Sequence, residues 1–294
     1  MNSISELENE LGMCRQQVLQ LKKENEELVI NLYQVNEKLH DSERMKGHFI
    51  SNITNEIVNP FASILALAKN IKQLDESEIS KIHRMAGLIF EEAFHLDFQL
   101  KNIFAAALIE SGKEELKFSA ISINVLSDYI CQYFHTLLNK KNIRFSVNFV
   151  NELNPGANIT FTSDWEKLDL ILKNLISNSI KYSPDGSVID LEFVYGKEKL
   201  SKKVSDHGKG ISQNDRKIIF DRFKQLDEKI NSINTGHGLG LSVVQTYTEM
   251  LGGKVSLTDN SGGGICVMVS IPESLETNGW DDLEDFLLTS EASY

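Results

Sequence analysis

Apolar residues recur at alternating spacings of three and four near the start of the chain, and this repeat constrains its fold more than any other feature. One class of position holds Ile4, Leu11, Val18, Asn25, Leu32 and Leu39; the other holds Leu7, Cys14, Leu21, Leu28, Val35 and Ser42. The repeat averages about 3.5 residues against about 3.6 per turn of a straight helix, so the seam stays on one side only in a left-handed supercoil. Asn25 at an otherwise apolar core position favours a parallel, two-stranded register. Glu10 and Arg15 flank the seam where they can pair across strands. A single helix packed on its own domain explains neither the length nor this Asn. A parallel homodimer is the expectation.

The totals leave room for two domains beyond the coiled coil, at 294 residues. No apolar run approaches bilayer length, and no charged-then-apolar leader opens the chain, so no membrane span and a cytoplasmic location are expected. Cys14, Cys131 and Cys266 are too scattered for a disulfide framework or a zinc site. A net charge of −12 repels phosphate backbones, so nucleic acid is not an expected partner.

The next stretch runs Phe49-Ile-Ser-Asn-Ile-Thr-Asn-Glu-Ile-Val-Asn-Pro-Phe61. Ile53, Ile57, Phe61 and Ile64 form one apolar stripe, while Asn55 and Asn59 share another face with Glu56 beside them. Pro60 takes away an intrahelical bond from the Glu56 carbonyl, so a bend is expected there. Gly47 is a weak point in the preceding helix. The helix should continue to about Leu74, with Asp75 and Glu78 as a capping box for a second helix. That helix should present Ile82, Met85, Ile89, Ala93, Leu96, Leu100, Ile103 and Ala107. Two such hairpins make a four-helix bundle.

Beyond Leu116 strands and helices alternate. Strands are expected at 144–149, 158–162, 188–195, 200–205, 254–258 and 265–271, with helices from Asp164 to Tyr182 and from Val243 to Leu251. The first of these helices carries Asn174, Asn178 and Lys181 on one polar stripe. Carboxamide oxygens suit Mg²⁺ when phosphates complete its shell. Next comes Asp206-His-Gly-Lys-Gly210, a carboxylate at a strand end beside glycines that admit a flat base. Then Gly236-His-Gly-Leu-Gly240 precedes a helix, where free amides can hold phosphate. Each signal is weak by itself. Their order makes them strong together.

Taken together these motifs resemble sensor histidine kinases over about residues 45–273. Phe49, Thr54, Glu56, Ile57, Asn59 and Pro60 match that family's H-box, and Asn55 stands where the family has its phospho-accepting histidine. The later motifs resemble the N, G1, F and G2 boxes of the ATPase domain that histidine kinases share with type II topoisomerases, mismatch-repair ATPases and heat-shock chaperones. Ile219-Phe-Asp-Arg-Phe223 is the F-box resemblance. Between the heptad coiled coil over 1–44 and an acidic tail over 274–294, the resemblance implies two parts: a dimerisation and phosphotransfer hairpin over 45–115 and an α/β sandwich ATP-binding domain over 116–273. It implies ATP and Mg²⁺ as cofactors, with Asn178 holding the metal, Asn174 in the nucleotide site and Lys181 offsetting phosphate. Asp206 would read the adenine amine beside Gly208 and Gly210, with Tyr182 near the base. Gly236, Gly238, Leu239 and Gly240 would form the phosphate end of a lid over residues 212–235, with Phe223 in it.

The substitution at 55 decides the chemistry. A carboxamide nitrogen delocalises its lone pair into the carbonyl and is a poor nucleophile. Autophosphorylation at Asn55 is therefore expected to be absent, and Glu56 has no histidine to assist. His48 is followed by Phe49 rather than an acid, which makes it a poor substitute. Asn59 matches a position that in the family can orient water for dephosphorylating a response regulator receiver domain. The expected function is control of such a regulator by binding or dephosphorylation. The alternatives are a kinase whose acceptor histidine lies on a partner chain, such as a related kinase in a heterodimer, an engineered exchange in an ordinary histidine kinase, or a non-enzymatic dimeric scaffold. The stretch from Glu273 holds seven acidic residues and no Lys or Arg, with Trp280, Leu283 and Leu287 at helical spacing. It reads as a docking peptide or a solvated tail.

Overall fold

The computed structural model describes residues 2–213, 215–220 and 238–275, with side chains left out at 2–11, 14, 38–39, 41–53, 55–56, 76 and 217. Contacts divide the chain into two units, residues 1–58 and 59–294. The acidic tail beyond 275 and most of the expected lid lie outside the described residues.

Helix α1 spans Asn2–Ile71 and is assigned without a break through Gly47 and Pro60. In the first unit the heptad side chains Val18, Leu21, Leu28, Leu32 and Val35 are all exposed in the single chain. Such a stripe has no intramolecular reason to be apolar.

In the second unit the end of α1 is followed by a single 3-10 turn at Glu76–Glu78 and by α2, Ile79–Ser111. Asp75 precedes the turn but makes no side-chain cap, and Glu78 pairs with Lys81 at 2.6 Å instead. The expected capping box is thus not formed. Helix α2 ends at Gly112 in the left-handed region (φ +64°), whose amide turns back to the last carbonyls. The fully buried residues of α2 are Phe98, Asn102 and Ala105. They lie beside the expected apolar stripe rather than on it, because this face packs on the α/β domain.

That domain has a small ladder of β1 (Ser119–Ser122) with β3 (Thr160–Ser163), and three helices: α3 (Ile123–Lys140), α4 (Trp165–Tyr182) and α5 (Gly240–Met250). Its main sheet runs β2-β4-β5-β7-β6, from Arg144–Asn151, Val188–Gly196, Lys199–Ser205, Ile265–Pro272 and Lys254–Asp259. Only the β2–β4 pair is parallel. Alternation assigns the faces. Leu191, Phe193, Leu200, Val204, Val267, Val269 and Ile271 turn inward with Leu126, Ile130, Phe134, Leu168, Ile171, Leu172, Val243 and Val244 of the helices. Outward, Glu192 faces Lys203 at 3.8 Å and Ser201 donates to Ser270 at 3.1 Å. This is a two-layer α/β sandwich. One residue breaks the pattern: Lys202, between Leu200 and Val204 on the inward face, is fully buried.

Helix α4 is buried nearly all round, since α2, α3, α5 and the sheet surround it. Asp164 caps its start, accepting from the Lys167 amide at 3.1 Å and, from the strand-entry segment, the Lys117 amide at 2.8 Å. Lys167 in turn pairs with Glu114, just past the end of α2, and lies 5.2 Å over the Tyr247 ring. Burial and Glu114 push the Tyr247 phenol up. These contacts fix the exit of α2 to the domain.

Candidate nucleotide-binding site

Four segments meet along α4: its own polar residues, the loop after β5, the turn between β6 and β7, and the start of α5. Asp206, the first residue past β5, is buried. Its Oδ1 accepts the amides of Gly208 (2.9 Å) and Ile265 (3.2 Å), and its Oδ2 accepts the hydroxyl of Ser179 (3.2 Å). A carboxylate offers about four acceptor sites, so Oδ2 keeps room for one more donor. The side chain is held rigidly and its remaining lone pair has a set direction.

The β6–β7 turn holds this loop in place. Asn260 donates to the Asp206 carbonyl at 2.9 Å. Gly264 sits at φ +84°, and a Cβ there would run into the Asp206 carbonyl and the Gly208 amide. Only glycine lets the two backbones lie this close. A Cβ on Gly208 would likewise press on the Tyr182 carbonyl at 2.9 Å. Tyr182 is 46% exposed at the end of α4, and the ammonium groups of Lys181 and Lys209 lie 5.2 Å and 5.6 Å from its ring centre. The aromatic face and two cations stand on the rim next to Asp206. Gly210 follows at φ +73°.

At the other end, Gly238 adopts φ +67° and Leu239 is buried, its carbonyl accepting the Ser242 hydroxyl at 2.8 Å. Helix α5 then starts at Gly240. Asn174 lies directly against this start: a Cβ on Gly240 would sit 2.5 Å from Asn174 Oδ1. The Asn174 amino group donates to Leu170 O (2.9 Å) and to Asn102 Oδ1 (2.7 Å). Between the two ends Asn178 is half-buried, and its carboxamide has no hydrogen-bond partner among the described residues. Asn174 and Ser179 are about 7–8 Å apart along the helix axis, so α4 connects the Asp206 loop to the start of α5 and the two define one candidate site.

The sequence-derived residues therefore separate into groups. Asn174, Gly238, Leu239 and Gly240 come together at the start of α5, and Tyr182, Asp206, Gly208 and Gly210 at the loop after β5, with Asn178 between them on α4 and Lys181 beside Tyr182. Phe223 and Gly236 lie outside the described residues, as do the side chains of Asn55 and Glu56. Asn59 is exposed on α1. Sequence reasoning missed Ser179, Asn260, the Gly262–Gly264 turn and Asn102. The triple glycine was the available signal for the turn; nothing in the sequence pointed to the others.

Residues 163–275 match the family model described as histidine kinase-, DNA gyrase B-, and HSP90-like ATPase. The α/β sandwich is thus an ATPase domain of that class. Within the class its likeness is to sensor histidine kinases. The chain is 29% identical over 242 residues to sensor histidine kinase TmoS of Ectopseudomonas mendocina, covering 82% of this chain and 24% of TmoS. It is 27% identical to hybrid signal transduction histidine kinase D of Dictyostelium discoideum, over 86% of this chain and 16% of that one. With sensor histidine kinase YcbM of Bacillus subtilis it shares 25% over 78% of this chain and 72% of the relative. The chain so spans a quarter or less of the first two relatives. Among solved structures, full-length ShkA in complex with AMPPNP superposes with a TM-score of 0.55 at 19% identity, over 80% of this chain and 46% of that one. Histidine kinase ThkA in complex with response regulator protein TrrA gives 0.51 at 22%, over 82% and 66%. These identities speak for the fold alone. The chain carries a histidine-kinase-type ATPase domain behind a helical N-terminal part. Among the described residues no helix is long and apolar enough to cross a membrane.

Proposed function

We propose that this chain is a dimeric, ATP-binding protein of two-component signalling that does not phosphorylate itself at position 55 and controls a response regulator by binding or dephosphorylating it. The observation that carries the nucleotide reading is Asp206: a buried carboxylate fixed by three donors, with a lone pair still open, in a recess floored by glycine. Such a group accepts an exocyclic amine with no reorganisation. Tyr182 covers the base, while Lys181 offsets phosphate charge. The donor set also fits a hard cation, because Asn178 and Asn174 supply carboxamide oxygens where α5 begins. Mg²⁺ bound there would screen the phosphates and join them to the protein.

Phosphoryl transfer needs an acceptor with a basic lone pair, and Asn55 supplies none. Asn59 and Glu56 keep the polar character of the H-box, which suits water positioning at a regulator's aspartyl phosphate. The exposed heptad residues of α1, together with Phe61 and Leu65 further along, support a second copy of this chain as dimer partner. A second reading, a kinase acting on a histidine of a partner chain, is favoured by the intact nucleotide motifs of the sequence.

The deciding experiment incubates the protein with γ-labelled ATP and Mg²⁺ beside Asn55→His. The expected result is acid-labile label on Asn55→His only. Label on the unmodified chain would overturn the reading of position 55. Label on neither, with nucleotide still bound, would leave ATP as a conformational ligand and remove the partner-chain kinase.

A further inference from the structure

We propose that Asn102, on helix α2 outside the ATPase domain, is a positioning residue for the nucleotide site: it turns the carboxamide oxygen of Asn174 toward the first residue of α5. This rests on the nucleotide reading above and deepens it.

The orientation of both amides is fixed by the backbone. Asn102 Nδ2 donates to Phe98 O at 3.1 Å and Asn174 Nδ2 to Leu170 O at 2.9 Å, each four residues back on its own helix. With its amino group so tied, Asn102 can offer only Oδ1 across the interface, and that oxygen takes the second proton of Asn174 at 2.7 Å. Both N–H groups of Asn174 are then spent on protein acceptors. Its Oδ1 is left, pressed against Gly240 at the start of α5. A carboxamide is nearly symmetric in shape, and without Asn102 nothing but Leu170 O would oppose its rotation. With Asn102 in place, the end that can bind a cation or a cation-bound water faces the phosphate end of the recess.

Burial makes the contact matter. Asn102 and Asn174 are only 3% and 4% exposed, so neither can exchange its partner for bulk water. A buried polar residue on the contact face of α2, between Phe98 and Ala105, needs a reason to be there. The same face is braced by Phe94 against Tyr133, ring centres 4.2 Å apart, and by Glu91 with Lys140 at 3.2 Å. Asn102 also lies outside residues 163–275, the span that matches the ATPase family. The site is in this view completed by a neighbouring helix, and the docking of α2 determines how well the metal-binding oxygen is presented.

The test compares AMP-PNP affinity with and without Mg²⁺ by calorimetry, on the full chain and on Asn102→Leu and Asn102→Asp, with thermal unfolding to check folding. Losing one buried orienting hydrogen bond should weaken Mg²⁺·AMP-PNP binding by roughly threefold to tenfold in Asn102→Leu. Metal-free affinity should stay within about twofold, because the base end at Asp206 is untouched. Asn102→Asp keeps an acceptor for Asn174 but loses the donor to Phe98 O, so it should recover only part of the Mg²⁺ gain. Equal losses with and without metal would show a merely structural residue and overturn the proposal, as would an unchanged Mg²⁺ gain in Asn102→Leu. If Asn102→Leu does not fold, Asn102→Ala, which removes the acceptor without adding bulk, takes the same measurement. An unmodified chain that binds no AMP-PNP at all sinks the nucleotide reading itself, and this inference with it.

Discussion

Lys202 gives the sharpest stability prediction. It lies mid-strand on β5, opposite Phe193 on β4 and Val269 on β7, with Leu200 and Val204 on the same inward face. The residue is 0% exposed and its Nζ has no hydrogen-bond partner among the described residues. Burial alone pulls its ammonium down from the ordinary 10.5 to about 7. That difference, at about 1.4 kcal/mol per pH unit, means about 5 kcal/mol of lost stability once the group is charged in both states, and about 4 kcal/mol at pH 7. The sign follows from proton counting. Between about 7 and 10.5 the unfolded chain holds more protons than the folded one, so stability rises with pH in that window. Below it the penalty is complete and constant. Lys202→Met keeps an unbranched side chain of similar size and removes the charge. Urea unfolding followed by circular dichroism at pH 6.5, 7.5 and 8.5 should show the variant more stable by about 3–5 kcal/mol at the lowest pH, the gap closing by about 1 kcal/mol per unit above pH 7.5. A variant that is neutral or destabilised at every pH, or a gap that does not change with pH, would mean the ammonium reaches water or a partner, and the reasoning would be wrong.

Two further perturbations probe the frame of the recess. Gly264→Ala places a methyl against the Asp206 carbonyl at φ +84°, whereas Gly263, at φ +91°, has open space around it. Gly263→Ala should cost only the backbone strain of about 1–3 kcal/mol, while Gly264→Ala should cost more in thermal unfolding and weaken AMP-PNP binding at least tenfold; equal effects at both positions would refute the close-packing argument. At the far edge, Tyr195 donates to Glu273 Oε2 at 2.6 Å while Oε1 accepts the Thr162 amide at 3.0 Å. The hydrogen bond to Glu273 pushes the Tyr195 phenol up to about 12. A raised phenol stabilises fully below its unfolded value near 10 and loses that contribution as pH passes about 12. Tyr195→Phe should therefore lose about 1–2 kcal/mol in chemical denaturation at pH 8, with the difference shrinking above pH 10; no difference at pH 8 would show the bond to be idle.

The strands were legible because one face of the sheet is wet. Alternation over residues 188–195 and 265–271 falls within a residue of the observed β4 and β7. Helix α4 was legible from Asp164 as its cap. By contrast β1 and α3 had not been assigned. Ser122 ends one and caps the other, with no intervening glycine or proline to mark the change. The turn before α2 was misjudged for a different reason: Glu78 had two possible partners, and Lys81 won over the backbone. At the site, spacing alone put Asn174 and Asn178 on one stripe, yet one is buried against α2 and the other is not. Only tertiary packing distinguishes them. Lys202 could not be read at all, since its neighbour Lys203 on the opposite face is an ordinary exposed lysine and nothing local separates the two. Sequence periodicity assigns a residue to a face; it does not say what covers that face.

That distinction bears on how nucleotide can matter in a chain with an amide at position 55. A ligand changes a conformational equilibrium only through its different affinity for the two states. If ATP were held wholly by the α/β domain, its binding would be indifferent to α2 and could signal nothing through the helices. If Asn102 orients Asn174 as proposed, that indifference is removed: the Asn174 oxygen would be presented with α2 docked and not with α2 displaced. A threefold to tenfold difference in Mg²⁺·nucleotide affinity is a coupling of about 0.6–1.4 kcal/mol, and by reciprocity bound nucleotide strengthens α2 docking by the same amount. This is enough to shift a balanced helix equilibrium from even to about 3:1 or 10:1. On the proposed reading ATP would act on the hairpin without transferring its phosphate, and an amide at position 55 would leave that role intact.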